Sequence, residues 1–369
     1  DCIIISPGID IKKCKLKNFL KKNLGKIHTD LDIFYYYNKK NKNITITGTN
    51  GKSTTVKIIY EVLKCQKIDA RLVGNIGNPI LSEKKITPKT VFVIEASSYQ
   101  LEYSKIFKSH LAAILNISPD HLERHGSIRN YIKAKFKLIK TQTKKDFTFL
   151  NTNNLFIKRY LSGQKILSKI IKINKTVQSK VLKKIDNSNF LSDGNKENLS
   201  FVFEIAKKMK ISKNNLFKAL QKFNGLDFRQ QVIFKSKNLI IINDSKATSF
   251  SSTVSILRSI TNVYWIVGGQ AKKGDKFLLN KSECKNMEAY IFGKNKKFFI
   301  NKLKKKINYQ LFDDLKSSIK KILIDVKKNN KKQHIILFSP AAASFDSFKN
   351  FEDRGNYFNH LIKGMLDAE

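Results

Sequence analysis

The sequence predicts an α/β protein of two or three domains with mostly parallel sheets, on three observations. At 369 residues the chain is too long for one core, and 41% hydrophobic residues is the content of a folded protein. Short β-branched runs that end in polar residues alternate with amphipathic stretches, once after residue 30 and again from Gln231. Between the two series Asn224-Gly225 breaks the chain, a hinge.

Taken in order, Cys2 to Ile5 reads as a buried strand and Ser6-Pro7-Gly8 as the turn at its carboxyl end. A βα unit follows to Leu24, and the whole reads as the end of a small domain. Ile44-Thr45-Ile46-Thr47 is the next strand. It runs into Gly48-Thr49-Asn50-Gly51-Lys52-Ser53-Thr54-Thr55 and then an amphipathic helix, Val56 to Leu63. Strand, glycine turn and Gly-Lys-Ser at a helix start form a phosphate loop, one residue pattern short of the strict form because Ile46 stands at its first glycine. The N–H groups and positive helix end face an anion, lysine reaches the outer phosphates, and the serine hydroxyl suits Mg²⁺. The loop is read as an ATP site.

Thr90 to Glu95 and Leu111 to Asn116 are the following strands, both apolar and ending in polar residues, as in buried parallel sheets. Residues 141 to 191 show weak strands, lysine clusters and loops without recognisable chemistry. Asn198 to Lys210 and Lys213 to Phe223 read as amphipathic helices. The second series has strands at Leu239 to Ile242, Val263 to Val267, Ala289 to Phe292 and His334 to Phe338, a separate doubly wound domain.

Composition removes several classes. Cys2, Cys14, Cys65 and Cys284 are scattered without paired spacing, which fits a reducing, cytoplasmic setting rather than a zinc knuckle or disulfide frame. No apolar run approaches the roughly 18 residues of a membrane span, and membrane insertion is not expected. The formal charge of +42 is almost all lysine, spread from end to end with isoleucine and asparagine. Nucleic-acid binding would need a concentrated basic face, so it is not expected either, although anionic substrates gain from the field.

Three constellations carry chemistry. Glu95 ends its strand beside the phosphate loop, where a Mg²⁺ ligand belongs, and Ala96-Ser97-Ser98-Tyr99-Gln100-Leu101-Glu102 follows. Asn116-Ile117-Ser118-Pro119-Asp120-His121 leaves the next strand toward the same crevice; His121 is either a metal contact or a satisfied structural residue. Lys135, in Tyr131-Ile132-Lys133-Ala134-Lys135, is by pattern one more surface lysine. In the second series, Asn243-Asp244-Ser245-Lys246-Ala247-Thr248, then Gly268-Gly269 ahead of Lys272, then Ser339-Pro340-Ala341-Ala342-Ala343-Ser344 end three strands. Together these turns suit a small di-anion; singly, each is a helix cap.

Thr47 to Ser53, Gly74-Asn75-Ile76-Gly77, Glu95 to Glu102 and Asn116 to His121 resemble, in order, the motifs of the Mur ligases, ATP-dependent amide-forming enzymes of peptidoglycan synthesis. Asn243 to Thr248 and the long run from Ser339 to Gly355 are similar to the D-glutamate-adding branch, and the resemblance spans essentially the whole chain. It implies three domains: the end of a Rossmann-like UDP-binding domain (1–29), a central phosphate-loop ATPase domain (30–226) and a Rossmann-like D-glutamate domain (227–369). It also implies that the chain opens inside the first domain, with Ser6-Pro7-Gly8 left from the uridine-side wall.

The implied reaction joins UDP-N-acetylmuramoyl-L-alanine to D-glutamate through an acyl phosphate, in a cytoplasmic monomer. Gly48, Thr49, Asn50, Gly51, Lys52, Ser53 and Thr54 would cradle ATP, with Asn198 at the adenine and Arg229 and Asp244 on the nucleotide. Ser53 and Glu95 would hold a first Mg²⁺; His121 and a carbamylated Lys135 a second. Asn75 and Ser97 would meet the muramoyl substrate. Lys246, Thr248, Lys272, Ser344 and Phe351 would line the D-glutamate pocket. Two positions depart from the family pattern: Gly194 and Phe228 stand where it has histidines. The alternatives are another amide ligase of the superfamily, adding a diamino acid or polyglutamylating folate, and a non-catalytic nucleotide-binding remnant.

Overall fold

A computed structural model describes residues 2–190, 192–272, 274–328 and 333–367, which fall into two compact units. The first takes the chain as far as Asp186 together with Glu197–Phe223; the second takes Asn187–Lys196 and the chain from Asn224 on.

The first unit opens with β1 (Ile3–Ile4) and β2 (Ile27–His28), a small parallel pair in register Ile3 to Ile27. Ile5, Ile11, Leu20 and Ile27 close a core of their own beneath it. Six strands then build one sheet: β3 (Asn43–Thr47), β4 (Ala70–Gly74), β5 (Val91–Glu95), β6 (Leu111–Ile114), β7 (Phe147–Asn151) and β8 (Lys169–Ile173). Their order is β4-β5-β3-β6-β7-β8 and every pairing is parallel. β3, β5 and β6 are buried along their whole length, which is why their sequences are near-continuous apolar runs rather than alternating ones. The helix Lys52–Cys65 buries Val56, Ile58, Ile59, Val62 and Leu63. Phe34, Phe92, Ile94, Tyr131, Ile132 and Phe136 belong to one core cluster.

Residues 141 to 191, weak in sequence, supply β7 and β8. β8 lies at the sheet edge with the sequence Lys-Ile-Ile-Lys-Ile mostly exposed, so burial leaves little apolar pattern to read. Lysines on an edge strand also deter pairing with another chain.

The second unit holds β9 (Gln231–Lys235), β10 (Leu239–Asn243), β11 (Val263–Gly268), β12 (Met287–Phe292), β13 (Asn308–Phe312) and β14 (His334–Phe338), in the order β13-β12-β11-β14-β10-β9. All pairings are parallel except β9 with β10. Three residues separate those two strands, far too few for a parallel crossover, so they form a hairpin. Two cores flank the sheet, one around Trp265, Phe250 and Phe277, the other around Tyr290, Phe338 and Phe358.

Candidate active site

In the first sheet β3 lies between β5 and β6, so the strand order turns at its carboxyl end, where parallel sheets place ligands. The turn Gly48 to Gly51 leaves β3 there and opens the helix Lys52–Cys65. Gly51 caps that helix in the left-handed region, φ +82°, and a Cβ on it would come within 2.3 Å of Asn198 Oδ1. Only glycine satisfies both constraints. Asn116 clasps the loop from the next strand: its Oδ1 accepts from Asn50 N at 2.9 Å, and its Nδ2 donates to Asn50 O at 3.2 Å. Thr49 Oγ1 accepts from Ser118 N at 3.0 Å and lies 3.2 Å from the Tyr131 hydroxyl. Lys52 Nζ donates to the carbonyls of Gly48 and Thr49, both at 2.9 Å. Ser53 is buried in the first helical turn beside half-buried Thr54.

Glu95, at the end of β5, is buried. Its Oε1 accepts from Asn75 Nδ2 at 2.9 Å, while Asn75 N donates to the Glu95 carbonyl at 3.0 Å. Its Oε2 is buried with no hydrogen-bond partner. A buried acceptor of this kind is costly unless it meets a donor or a cation.

Lys135 is not a surface lysine: it is 1% exposed. Its Nζ donates to Gly48 O at 2.7 Å and lies 4.6 Å from the Tyr131 ring centre. Burial, then the neighbouring Lys52, pushes its pKa well below the ordinary lysine value against the pull of Asp120 and Glu95. The shift is toward the neutral amine.

His121 adopts φ +52° at the start of the short helix Leu122–His125. Its Nδ1 lies 2.9 Å from the Tyr99 hydroxyl and its Nε2 3.4 Å from Asp120 Oδ2. The Tyr99 phenol is pushed up to about 12, chiefly by burial and then by Glu123, so it stays protonated and can donate.

A cleft of about 640 Å³ takes in several of these groups, though Glu95 is not among its walls. Lys52, Asn75, Ser97, His121 and Lys135 line it, as do Pro7 and Gly8; Ser6 is not among its walls. Arg124 holds that last segment in place. Its Nη2 donates to Ile9 O at 2.7 Å, its Nη1 to Gly8 O at 3.4 Å and its Nε to Glu102 at 3.0 Å. Ser97 caps the helix Ser98–Tyr103, accepting from Gln100 N.

In the second unit, the turns carrying Lys246, Lys272 and Ser344 leave β10, β11 and β14, three neighbouring strands. Ser344 is buried, Lys246 and Lys272 are half-buried and Thr248 is exposed. Lys246 Nζ lies 3.6 Å from the Phe351 ring centre. Asp244 is buried; its Oδ2 accepts from Ser339 Oγ at 2.8 Å and its Oδ1 from Gln230 N at 3.1 Å. Burial pushes its carboxyl up to about 7, against those bonds and the charges of Arg229 and Arg354. At the two positions that depart from the family pattern, Phe228 packs on Gly355, and a Cβ on Gly194 would lie 2.5 Å from Ser255 Oγ.

Sequence reasoning passed over Tyr131, Asn116, Arg124 and Arg354 as site residues. Tyr131 and Lys135 stand four apart, one helical face, and that spacing was the available signal. Arg354 is 1% exposed and binds Ser245 Oγ, Ser245 O and Ala342 O, so it ties two of the polar turns together. Nothing in the order of residues announces that.

Residues 46–216 match the model of the Mur ligase middle domain. The UDP-N-acetylmuramoylalanine--D-glutamate ligase of Rickettsia bellii is 32% identical over 386 residues, covering 99% of this chain and 85% of that one. Its namesake in Francisella tularensis subsp. novicida is 36% identical over 369 residues, covering 98% and 85%. Among solved structures, MurF from Acinetobacter baumannii superposes with a TM-score of 0.65 at 16% identity over 92% of this chain and 80% of its own. MurF from Thermotoga maritima in complex with ADP gives 0.62 at 14% identity over 100% and 95%. At such identities these structures speak for the fold.

Proposed function

This chain belongs to the Mur ligases, and on that premise we propose that it joins D-glutamate to UDP-N-acetylmuramoyl-L-alanine, converting ATP to ADP and phosphate. The observation that carries the chemistry is the gathering of Lys52, Lys135 and Glu95 around one phosphate loop. The choice of D-glutamate is supported by the names of the relatives and by the three polar turns of the second unit.

The alanyl carboxylate attacks the γ-phosphorus in line, the bond to ADP breaks, and an acyl phosphate forms. The D-glutamate amine then attacks the acyl carbon, the carbon–oxygen bond breaks, and phosphate leaves as the nitrogen gives up a proton. Reactions between anions of this kind need positioning and charge neutralisation above all. Lys52 supplies positive charge to the β- and γ-phosphates, with the loop from Gly48 to Thr54 as the cradle. Asn75, held against Glu95, stands between ATP and the muramoyl substrate, which Ser97 and the Ser6-Pro7-Gly8 turn also meet. Asn198, Arg229 and Asp244 serve the nucleotide, and Lys246, Thr248, Lys272, Ser344 and Phe351 receive D-glutamate.

The residues fit Mg²⁺. Glu95 Oε2 is the buried acceptor such an ion satisfies, and Ser53, buried in the first turn of the helix Lys52–Cys65, would add its hydroxyl. Among the described residues no group of three or more His, Cys, Asp or Glu gathers for a metal. That suits an ion which takes one or two protein oxygens and leaves the rest to phosphates and water. Bound there, it would neutralise phosphate oxygens, with His121 and a carbamylated Lys135 holding a second. The carbamate is supported by the shift of Lys135 toward the neutral amine, the form that adds carbon dioxide with loss of a proton.

Phosphate release from ATP and UDP-N-acetylmuramoyl-L-alanine should require D-glutamate and should not be supported by L-lysine or a diamino acid. Lys135→Ala should retain under about a hundredth of the rate, a loss of ~2.7 kcal/mol, and recover in part with added acetate. Turnover with a diamino acid, or an active Lys135→Ala enzyme without additive, overturns the respective assignment.

A further inference from the structure

Glu197 stands one position before Asn198 in the helix Asp193–Lys208. Its carboxylate accepts from Asn151 Nδ2 at 2.8 Å, and the side-chain amide of Asn116 faces it closely enough to favour its charged form. Both donors are committed from their far sides. Asn151 Oδ1 accepts from the N–H groups of Asn153 at 2.9 Å and Asn154 at 3.2 Å, so its NH₂ must turn to Glu197. Asn116 Oδ1 accepts from Asn50 N, so its NH₂ faces Asn50 O and Glu197. Two amide donors thus converge where only an acceptor fits without conflict, and a carboxylate is acceptor alone.

We propose that Glu197 is a positioning residue for the phosphate loop: by fixing the amide of Asn116, it holds the main chain of Asn50 and with it the curvature of Gly48 to Gly51. Asn198 follows directly and packs over Gly51, so the first described turns of this helix clamp the loop at two adjoining points. The relay runs from the end of β7 through Glu197 and Asn116 to Asn50, and none of its members need touch the substrate. A polar network with every member satisfied is stiff, and its loss is felt at the far end.

The inference rests on the phosphate loop being a nucleotide site, and calorimetry with MgADP on the full chain tests the two separately. Wild type that does not bind MgADP sinks that reading. Given binding, Glu197→Ala should weaken it roughly tenfold and Asn116→Asp, which sets a carboxylate against Glu197 and Asn50 O, roughly thirtyfold. Adding Glu197→Gln to Asn116→Asp should restore at least ~threefold, because glutamine donates to Asp while keeping an oxygen for Asn151. Affinity for UDP-N-acetylmuramoyl-L-alanine should not move in any of these variants. Circular dichroism shows which variants fold, and the double variant carries the test if Glu197→Ala does not. Affinities within twofold of wild type for Glu197→Ala, or losses in the double variant that simply multiply, overturn the proposal.

Discussion

Asp244 is a residue at which burial and charge are opposed. Its carboxyl is pushed up to about 7, whereas in the unfolded chain it titrates near pH ~4. Between those values the folded protein holds the extra proton, so Asp244 makes stability fall as pH rises through that window, and above it the full cost of the buried charge persists. Asp244→Asn keeps an acceptor for Gln230 N and gives Ser339 a donor. It should leave stability unchanged near pH ~4 and raise it at pH 8 by at most ~4 kcal/mol, three pH units at ~1.36 each. Trp265, the single tryptophan and buried in the second unit, reports the unfolding by fluorescence. Parallel urea curves for the two proteins at every pH would refute the assignment. Residue types alone showed Asp244 at a strand end but not its burial. Lys135 is the stronger case: its letter is the commonest surface residue of a lysine-rich chain, and only the packing of Tyr131 and the loop makes it a buried amine.

Elements were far more legible than residues. β3, β5, β6, β10, β11, β12 and β14 were visible because a strand covered on both faces must be apolar throughout. β8 and β9 were not, since edge strands keep only half of that signal, and the turn of β9 into a hairpin depends on a three-residue connection. Tight contacts between elements leave no mark in a pattern either. The helix Phe351–Leu366 meets Phe228 at Gly355, where a Cβ would fall 2.2 Å from the ring. Gly355→Ala gains helix propensity of about 0.8 kcal/mol, but the clash is larger, so a net loss of roughly 1–3 kcal/mol is expected. Trp265 fluorescence in urea measures it. A stabilised variant would mean that Phe228 swings aside freely.

Across the whole molecule, 71 basic residues face 29 acidic ones. The surface ion pairs that result, such as half-buried Lys57 with Glu61, add little stability. Their surplus charge acts instead on nucleotides and other anions at a distance. Raising salt from about 0.05 to about 0.5 M shortens the screening length from roughly 14 to 4 Å, and the KM for ATP should rise several-fold while kcat changes less. A KM indifferent to salt would confine the attraction to Lys52 and its immediate neighbours. The same even spread of lysine along the chain was legible at once. What holds the loop together was not, because its parts are distant along the chain: Asn50 is gripped by a residue 66 positions later, and Gly51 is covered by Asn198. On a ribosome the phosphate loop therefore emerges well before the residues that give it its shape. Another 66 residues must be translated before Asn50 meets Asn116, and the chain must reach Asn198 before Gly51 is covered.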